Sequence, residues 1–345
     1  MLHPRENPHF FGHKEVEAHI LQAMQQDKFP HALLLTGPRG LGKATFAFRL
    51  ARTLLAQGKR SCEGVQNLDI DNASSLFRRV AAGSHGDLFT LQRLPGKEGN
   101  LPKFITVDDV RSAISFSRKT PAECGWRVVI VDSADELNKN AANALLKLLE
   151  EPPAHSLIML IAAMPGRLPV TLRSRCQMVP FATLAPEEVE KVYVSQARPV
   201  PSSGLYALGD GAPGQMMRLE EEGGEVIYAK LLILLNSAFQ GQGMRAVMGL
   251  QKHFDQKPEA VQLLLQFLSG YIGKIMNYLS GQTQGITAED HQCLNRLKAH
   301  DLGHWVQVWQ NIQSFHQEAQ IFNLDWRQTL EGIVHLIESP ISSKG

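Results

Sequence analysis

The sequence predicts an α/β protein whose parallel sheet is covered on both faces, followed by an all-helical C-terminal part. Three observations predict it. Between residue 32 and about residue 181 short apolar runs alternate with helical patterns, a glycine-rich turn joins the first run to a helix, and beyond residue 184 the β pattern stops. The first run, "ALLLT" (Ala32–Thr36), ends at Gly37 and Pro38, and the helix after it carries Phe46, Leu50 and Leu54 at three-to-four spacing. "DLFTL" (Asp87–Leu91) is a second strand. "ITVDDVRSAISFSRK" predicts a helix with Val110, Ile114 and Phe116, opened by Thr106 and aspartates. "RVVIVD" (Arg127–Asp132) and "SLIMLIAA" are apolar on consecutive positions, as strands buried on two faces are. "NAANALLKLLEE" is a helix stopped by Pro152–Pro153, and "CQMVPF" is a shorter strand.

The helical part begins with "APEEVEKVYVSQA", which has Pro186 in its first turn and acidic residues behind it. A turn-rich break, "PVPSSGLYALGDGAPGQMMRL", leads into another short helix. From about Glu225, "AKLLILLNSAF", "AVQLLLQFLSGYIGKIMNYL", "HWVQVWQNIQSFHQEA" and "WRQTLEGIVHLI" are amphipathic or apolar helices. The expected division is a core over 1–183, a small helical domain over 184–224 and a larger one over 225–345. "LPGKEGNLPKF" reads as a surface loop, and disorder is expected near Gly281–Gly285 and in the tail "SPISSKG".

Composition excludes several function classes. The chain has 345 residues, a net charge of +1 and 20% charged residues, so no global basic surplus makes nucleic acid the default partner. No apolar run approaches the length of a bilayer span, and the polar start "MLHPRENPHFFGHKE" is unlike a secretory signal. Cys62, Cys124, Cys176 and Cys293 are scattered without C-x-x-C spacing, which fits a reducing compartment and no metal cluster. A cytoplasmic protein is expected, with no membrane contact.

Three stretches carry chemistry. "GPRGLGKAT" matches G-x-x-x-x-G-K-[ST] except at its last position: Gly37, Pro38, Gly40, Gly42 and Lys43 form the cradle, but Ala44 stands where a magnesium-binding hydroxyl belongs. Its glycines let backbone N–H groups converge on phosphate at a helix N-terminus, and Lys43 adds a positive charge. Thr45 is adjacent, but one helical step turns its hydroxyl about 100° away. Asp132 closes a hydrophobic strand, the place where nucleotide hydrolases hold magnesium. Taken alone it reads equally as a cap for the next segment. Ser133 follows it and cannot serve as a carboxylate base. In "LPVTLRSRCQMVPF", Arg173 and Arg175 bracket a serine between a helical turn and a strand.

The last stretch makes a resemblance specific. "TLRSRC" resembles the Ser-Arg-Cys motif of clamp-loader subunits, AAA+ proteins that open sliding clamps in DNA replication. "NAANALLKLLEEPP" resembles that family's segment before its sensor strand. "FPHALLLTGPRGLGKAT", "GSHGDLFTL" and "ITVDDVRSAISF" resemble the bacterial DNA polymerase III delta prime family in order and spacing. The resemblance runs through residues 1–181 and more loosely through the helical remainder. It implies a RecA-like AAA+ core, a helical lid over 184–224 and a C-terminal collar over 225–345 for oligomerisation. It also implies membership of the DNA polymerase III holoenzyme, contacts with delta and gamma/tau subunits, and through them with the beta sliding clamp and primed DNA.

The departures are informative. ATPase members of that family carry Ser or Thr at the position of Ala44, a glutamate at Ser133, and a lid arginine where "GAPGQ" places Gly214. Many relatives also hold a four-cysteine zinc module. Here Cys62 with His85 falls short of four ligands, so no metal is expected. The expectation is a degenerate nucleotide site that requires no cofactor, though weak ATP or ADP binding is compatible with it. Arg175 is expected to act in trans as an arginine finger at a neighbour's ATP. The alternatives are an autonomous AAA+ ATPase acting on nucleic acid and a small-molecule phosphotransferase using the same loop.

Overall fold

The computed structural model describes residues 2–26, 29–58, 64–93, 104–123, 125–257, 260–281, 302–321 and 325–338. They group into two compact units: residues 1–200 with 211–215, and residues 201–210 with 216–345. The segment 184–224 is therefore shared between the two.

In the first unit the elements run α1 (Lys14–Gln25), β1 (Ala32–Thr36), α2 (Lys43–Gln57), α3 (Ser75–Ala81), β2 (Leu88–Leu91), α4 (Val107–Arg118), β3 (Arg127–Asp132), α5 (Lys139–Glu150), β4 (Ser156–Ala162), α6 (Val170–Arg173), β5 (Gln177–Pro180) and α7 (Pro186–Ser195). The strands form one sheet in the order β2-β3-β4-β1-β5, and every pairing is parallel. Parallel neighbours need crossovers, and the helices supply them. Alternate residues of each strand enter different cores. Leu33, Leu35, Val128, Ile130, Leu157 and Met159 pack with Phe46, Leu50 and Leu54 of α2. Leu34, Val129, Val131, Ile158 and Leu160 pack with Val110 of α4 and Leu145, Leu148 and Leu149 of α5. Continuous apolar runs and a two-faced core are thus one fact seen twice. Pro180, which cannot donate to a ladder, sits on the edge strand β5.

Helix starts follow local chemistry. Thr106 accepts from Asp109 N while the Asp109 carboxylate takes Thr106 N, a closed capping box. Asn138 Oδ1 accepts from Ala141 N at 2.8 Å to open α5.

In the second unit α8 (Ser203–Gly209) and most of α9 (Pro213–Glu221) precede α10 (Gly224–Ala238), α11 (Gly243–Gln256), α12 (Ala260–Leu279), α13 (Leu302–Ile321) and α14 (Trp326–Glu338). α10 packs on α11 and α12, and α14 packs on α11 and α13. Leu231, Leu264, Leu268, Ile312 and Leu330 are buried among them, with Tyr228 edge-on to Phe267 at 5.7 Å. Helices α1, α3 and α11 extend the elements read from the sequence, and the turn-rich break holds two short helices where one was expected. No helix among the described residues is long and apolar enough to cross a membrane. The expected surface loop at 94–103, the segment 282–285, the tail 339–345 and Cys62 lie outside the described residues.

Candidate functional site

The phosphate loop follows the C-terminal end of β1 and opens α2. Gly37, Gly40 and Gly42 have φ values of +132°, +84° and +85°, a backbone region that side chains disfavour, so the glycine spacing is dictated by the turn. Lys43 begins α2 and is only 5% exposed. Its Nζ donates to the carbonyls of Gly37 and Pro38, both at 2.5 Å. Burial pushes its pKa down to about 8, opposed by the carboxylates of Asp132 and Asp135. Burial likewise raises the pKa of Asp132, and Lys43 acts in the opposite direction. The lysine and aspartate predicted from sequence are therefore brought together electrostatically at the C-terminal end of the sheet.

Ala44, Thr45 and Ser133 flank this pair in the sequence. Ala44, the second residue of α2, has no side-chain oxygen and packs against the apolar core. Thr45 is buried. Ser133 adopts a left-handed conformation, φ +66°, and leads into a 3₁₀ turn, Ala134–Glu136. The acids that follow have structural work that the sequence did not reveal. Asp135 accepts from Ala163 N and Met164 N at 3.2 and 2.9 Å, tying the end of β4 to the end of β3. Glu136 receives Arg39 of the phosphate loop at 2.6 Å and Arg93 at 2.9 Å. Asp135 and Glu136 are thus engaged by protein partners, and Ser133 offers a hydroxyl in place of a carboxylate. The only sequence signal for this arrangement was the acidic run "DSADE" behind a strand.

Gly214 touches the phosphate loop itself. Its N–H donates to Gly40 O at 2.9 Å. A Cβ at Gly214 would lie 2.9 Å from Gly40 Cα, and one at Gly40 would lie 2.2 Å from Gln215 N. Two backbones meet there with no room for a side chain between them. The N-terminal segment adds a further layer. Phe10 lies 5.5 Å from Phe46 by ring centroid and against Gly42, and His13 Nε2 donates to Leu41 O at 3.1 Å. Sequence reasoning treated that segment as a polar start and missed it.

Arg175 lies at the other end of the sheet. Parallel register sets Leu33 beside Gln177 and Thr36 beside Pro180. The residues just before β5 are thus level with the start of β1. About 15 Å of strand separates that level from Gly37, at about 3.3 Å per residue. Arg175 NH2 pairs with Glu150 Oε1 at 2.8 Å and NH1 donates to Thr171 O at 2.8 Å. Its side chain remains 37% exposed. Arg173 is half-buried, and Cys176 packs against the core with its thiol pushed up to about 12 by burial.

Comparison with known proteins shows the family. A family model described as DNA polymerase III, delta subunit, matches residues 12–185. The DNA polymerase III subunit delta' of Pseudomonas aeruginosa is 34% identical over 197 residues, covering 56% of this chain and 56% of the relative. That of Bacillus subtilis is 32% identical over 179 residues, covering 51% and 50%, and that of Escherichia coli 32% over 206 residues, covering 58% and 57%. The chain spans about half the length of the curated relatives it matches. With a family model spanning the sheet and both of its ends, the chain belongs to the bacterial DNA polymerase III delta prime family of AAA+ clamp-loader proteins.

Proposed function

We propose that the chain is a clamp-loader subunit of DNA polymerase III, one that lends an arginine to a neighbour's ATP and hydrolyses none at its own loop. The observation that carries the reading is the position of Arg175. It is half-exposed at the end of the sheet remote from Gly37 and Lys43, so a phosphate it serves belongs to another chain. A planar, permanently charged guanidinium suits the charge developing on a transferred γ-phosphate. Ala44, Ser133 and Gly214 support the second half of the reading. Each stands where an ATPase needs a metal ligand, a base or a lid arginine.

In this role the chain joins delta and gamma/tau subunits in the cytoplasm and acts through them on the beta sliding clamp and primed DNA. Residues 184–224 serve as a lid and 225–345 as its share of a collar. Exposed apolar side chains on the helical unit, Val226 and Ile233 on α10, Met244 and Met248 on α11, and Val306 and Trp309 on α13, support the collar. ATP or ADP binding at the loop is weak and dispensable, and no zinc takes part.

Two measurements test this. The isolated chain should show no magnesium-dependent ATP turnover above a Lys43→Ala control; turnover of about 1 per second, at the low end of ordinary enzymes, would refute it. Complexes carrying Arg175→Ala should assemble normally yet lose hydrolysis at one neighbouring site, and Arg173→Ala should cost less. Wild-type hydrolysis and clamp loading with Arg175→Ala would reduce the motif to a structural remnant.

A further inference from the structure

We propose that Glu150 is a positioning residue for Arg175, presenting its guanidinium in one orientation before the neighbour's phosphate arrives. The inference rests on the reading of Arg175 as a finger supplied in trans, and adds a residue to it.

The side chain of Arg175 is long and flexible, and alone it would sample many rotamers. Here it is held at two points. NH2 pairs with the carboxylate of Glu150 and NH1 donates to the Thr171 carbonyl, each at 2.8 Å. Its backbone is held as well, with Arg175 N donating to Leu172 O at 3.2 Å. Those partners leave other N–H groups of the forked guanidinium available for phosphate oxygens.

The anchor is itself rigid. Glu150 is the last residue of α5, and Pro152–Pro153 stop that helix. α5 packs against α6, with Leu145, Leu148 and Leu149 sharing a core with Leu168 and Leu172. His31 Nε2 donates to Leu149 O at 3.1 Å, which ties the same helix end to the approach of β1. The distance between Glu150 and Arg175 is thus set by core packing, not by the two side chains. Helix stability does not explain the carboxylate, because a negative charge at a helix C-terminus opposes the macrodipole. Both partners are partly exposed, at 47% and 37%, so the pair is weak enough to yield some of its donors to a stronger anion.

The test is a double-mutant cycle in the assembled complex, read as DNA- and clamp-stimulated ATPase over a range of ATP concentrations. Glu150→Ala should lower kcat by about tenfold, or to the level of Arg175→Ala if that loss is smaller, and leave KM within about twofold. Misplacing a catalytic group by about 1 Å can cost up to about 10²-fold. Glu150→Gln, which keeps the acceptor oxygen, should retain most of the rate. Adding Glu150→Ala to Arg175→Ala should cost nothing more. If Glu150→Ala prevents assembly, Glu150→Asp shortens the reach by one methylene and replaces it in the cycle. Wild-type kcat for Glu150→Ala beside an impaired Arg175→Ala overturns the positioning role. So does an equal loss in both backgrounds, which would make Glu150 independent of Arg175. If Arg175→Ala itself has no effect, the finger reading has failed first.

Discussion

The two ends of one parallel sheet have opposite characters. At the C-terminal end of the strands, charge is consumed internally: Lys43 donates to its own loop's carbonyls, Glu136 holds Arg39 and Arg93, and Gly214 meets Gly40 backbone to backbone. At the N-terminal end Arg175 stays half-exposed and held by partners that do not exhaust its donors. The same core supports both ends, since alternate residues of every central strand feed the same two clusters. Substitutions at one end therefore need not disturb the other.

The largest test of that contrast compares the ends directly. Under the proposed function, Arg175→Ala should cost about 10³–10⁵ in hydrolysis at the neighbouring site, the range seen for supplied arginines. Re-equipping the loop with Ala44→Ser and Ser133→Glu should create no ATPase in the isolated chain, because Gly214 still packs on Gly40 and Glu136 is still engaged by Arg39 and Arg93. Turnover of about 1 per second by the re-equipped chain would break the contrast. It would mean that two side chains, and not the backbone contact, separate this loop from a working one.

Next in size is the thiol beside Arg175. With its pKa raised from 9.0 to about 12, Cys176 holds about 10³-fold less thiolate at neutral pH than an ordinary cysteine. In a chain carrying Cys62→Ser, Cys124→Ser and Cys293→Ser, iodoacetamide should label it slowly when folded and rapidly in denaturant. Fast labelling of the folded chain would show that the end carrying Arg175 opens to solvent.

A smaller effect tests the closed end. Gly40→Ala should destabilise the first unit by about 3 kcal/mol, combining about 1–2 for the left-handed backbone with the strain of a Cβ placed 2.2 Å from Gln215 N. Gly166→Ala, where a Cβ meets nothing within 4 Å, should stay within about 0.5 kcal/mol. Urea midpoints measure both, and equal values would show that the loop contact is loose.

The smallest effect is in the pH profile. Folded Lys43 loses its proton near pH 8, whereas the unfolded chain keeps it to about 10.5. Across that window the unfolded state binds more protons, so this group makes stability rise with pH. Below it both states are charged and the cost of burying the ammonium is fully present. Lys43→Met should flatten the rise between about pH 8 and 10.5, and an unchanged slope would place Lys43 in water.

Much of the fold was legible in the sequence, because the signals are local. Asn138 and Thr106 cap the helices that follow them through bonds spanning three residues. "AVQLLLQFLSGYIGKIMNYL" is α12 from end to end, since an apolar stripe that long admits few other readings. α11 was missed although Val247, Leu250 and Phe254 fall at helical spacing. Its glycines and short apolar runs resemble a loop until a partner helix is placed beside it.

By itself, then, the sequence determined the strands, the phosphate loop with Ala44 in place of a hydroxyl, Asp132 at a strand end and the Ser-Arg-Cys turn. Each depends on residues a few positions apart. Tertiary structure alone decided the strand order, and with it the placement of Arg175 at the end of the sheet remote from Lys43. It also decided that Glu136 joins Arg39 to Arg93, that Gly214 seals Gly40, and that Glu150 meets Arg175. These partners lie far apart along the chain. No propensity or spacing rule connects them; only the closing of strands and helices around a shared apolar core brings them within hydrogen-bonding distance.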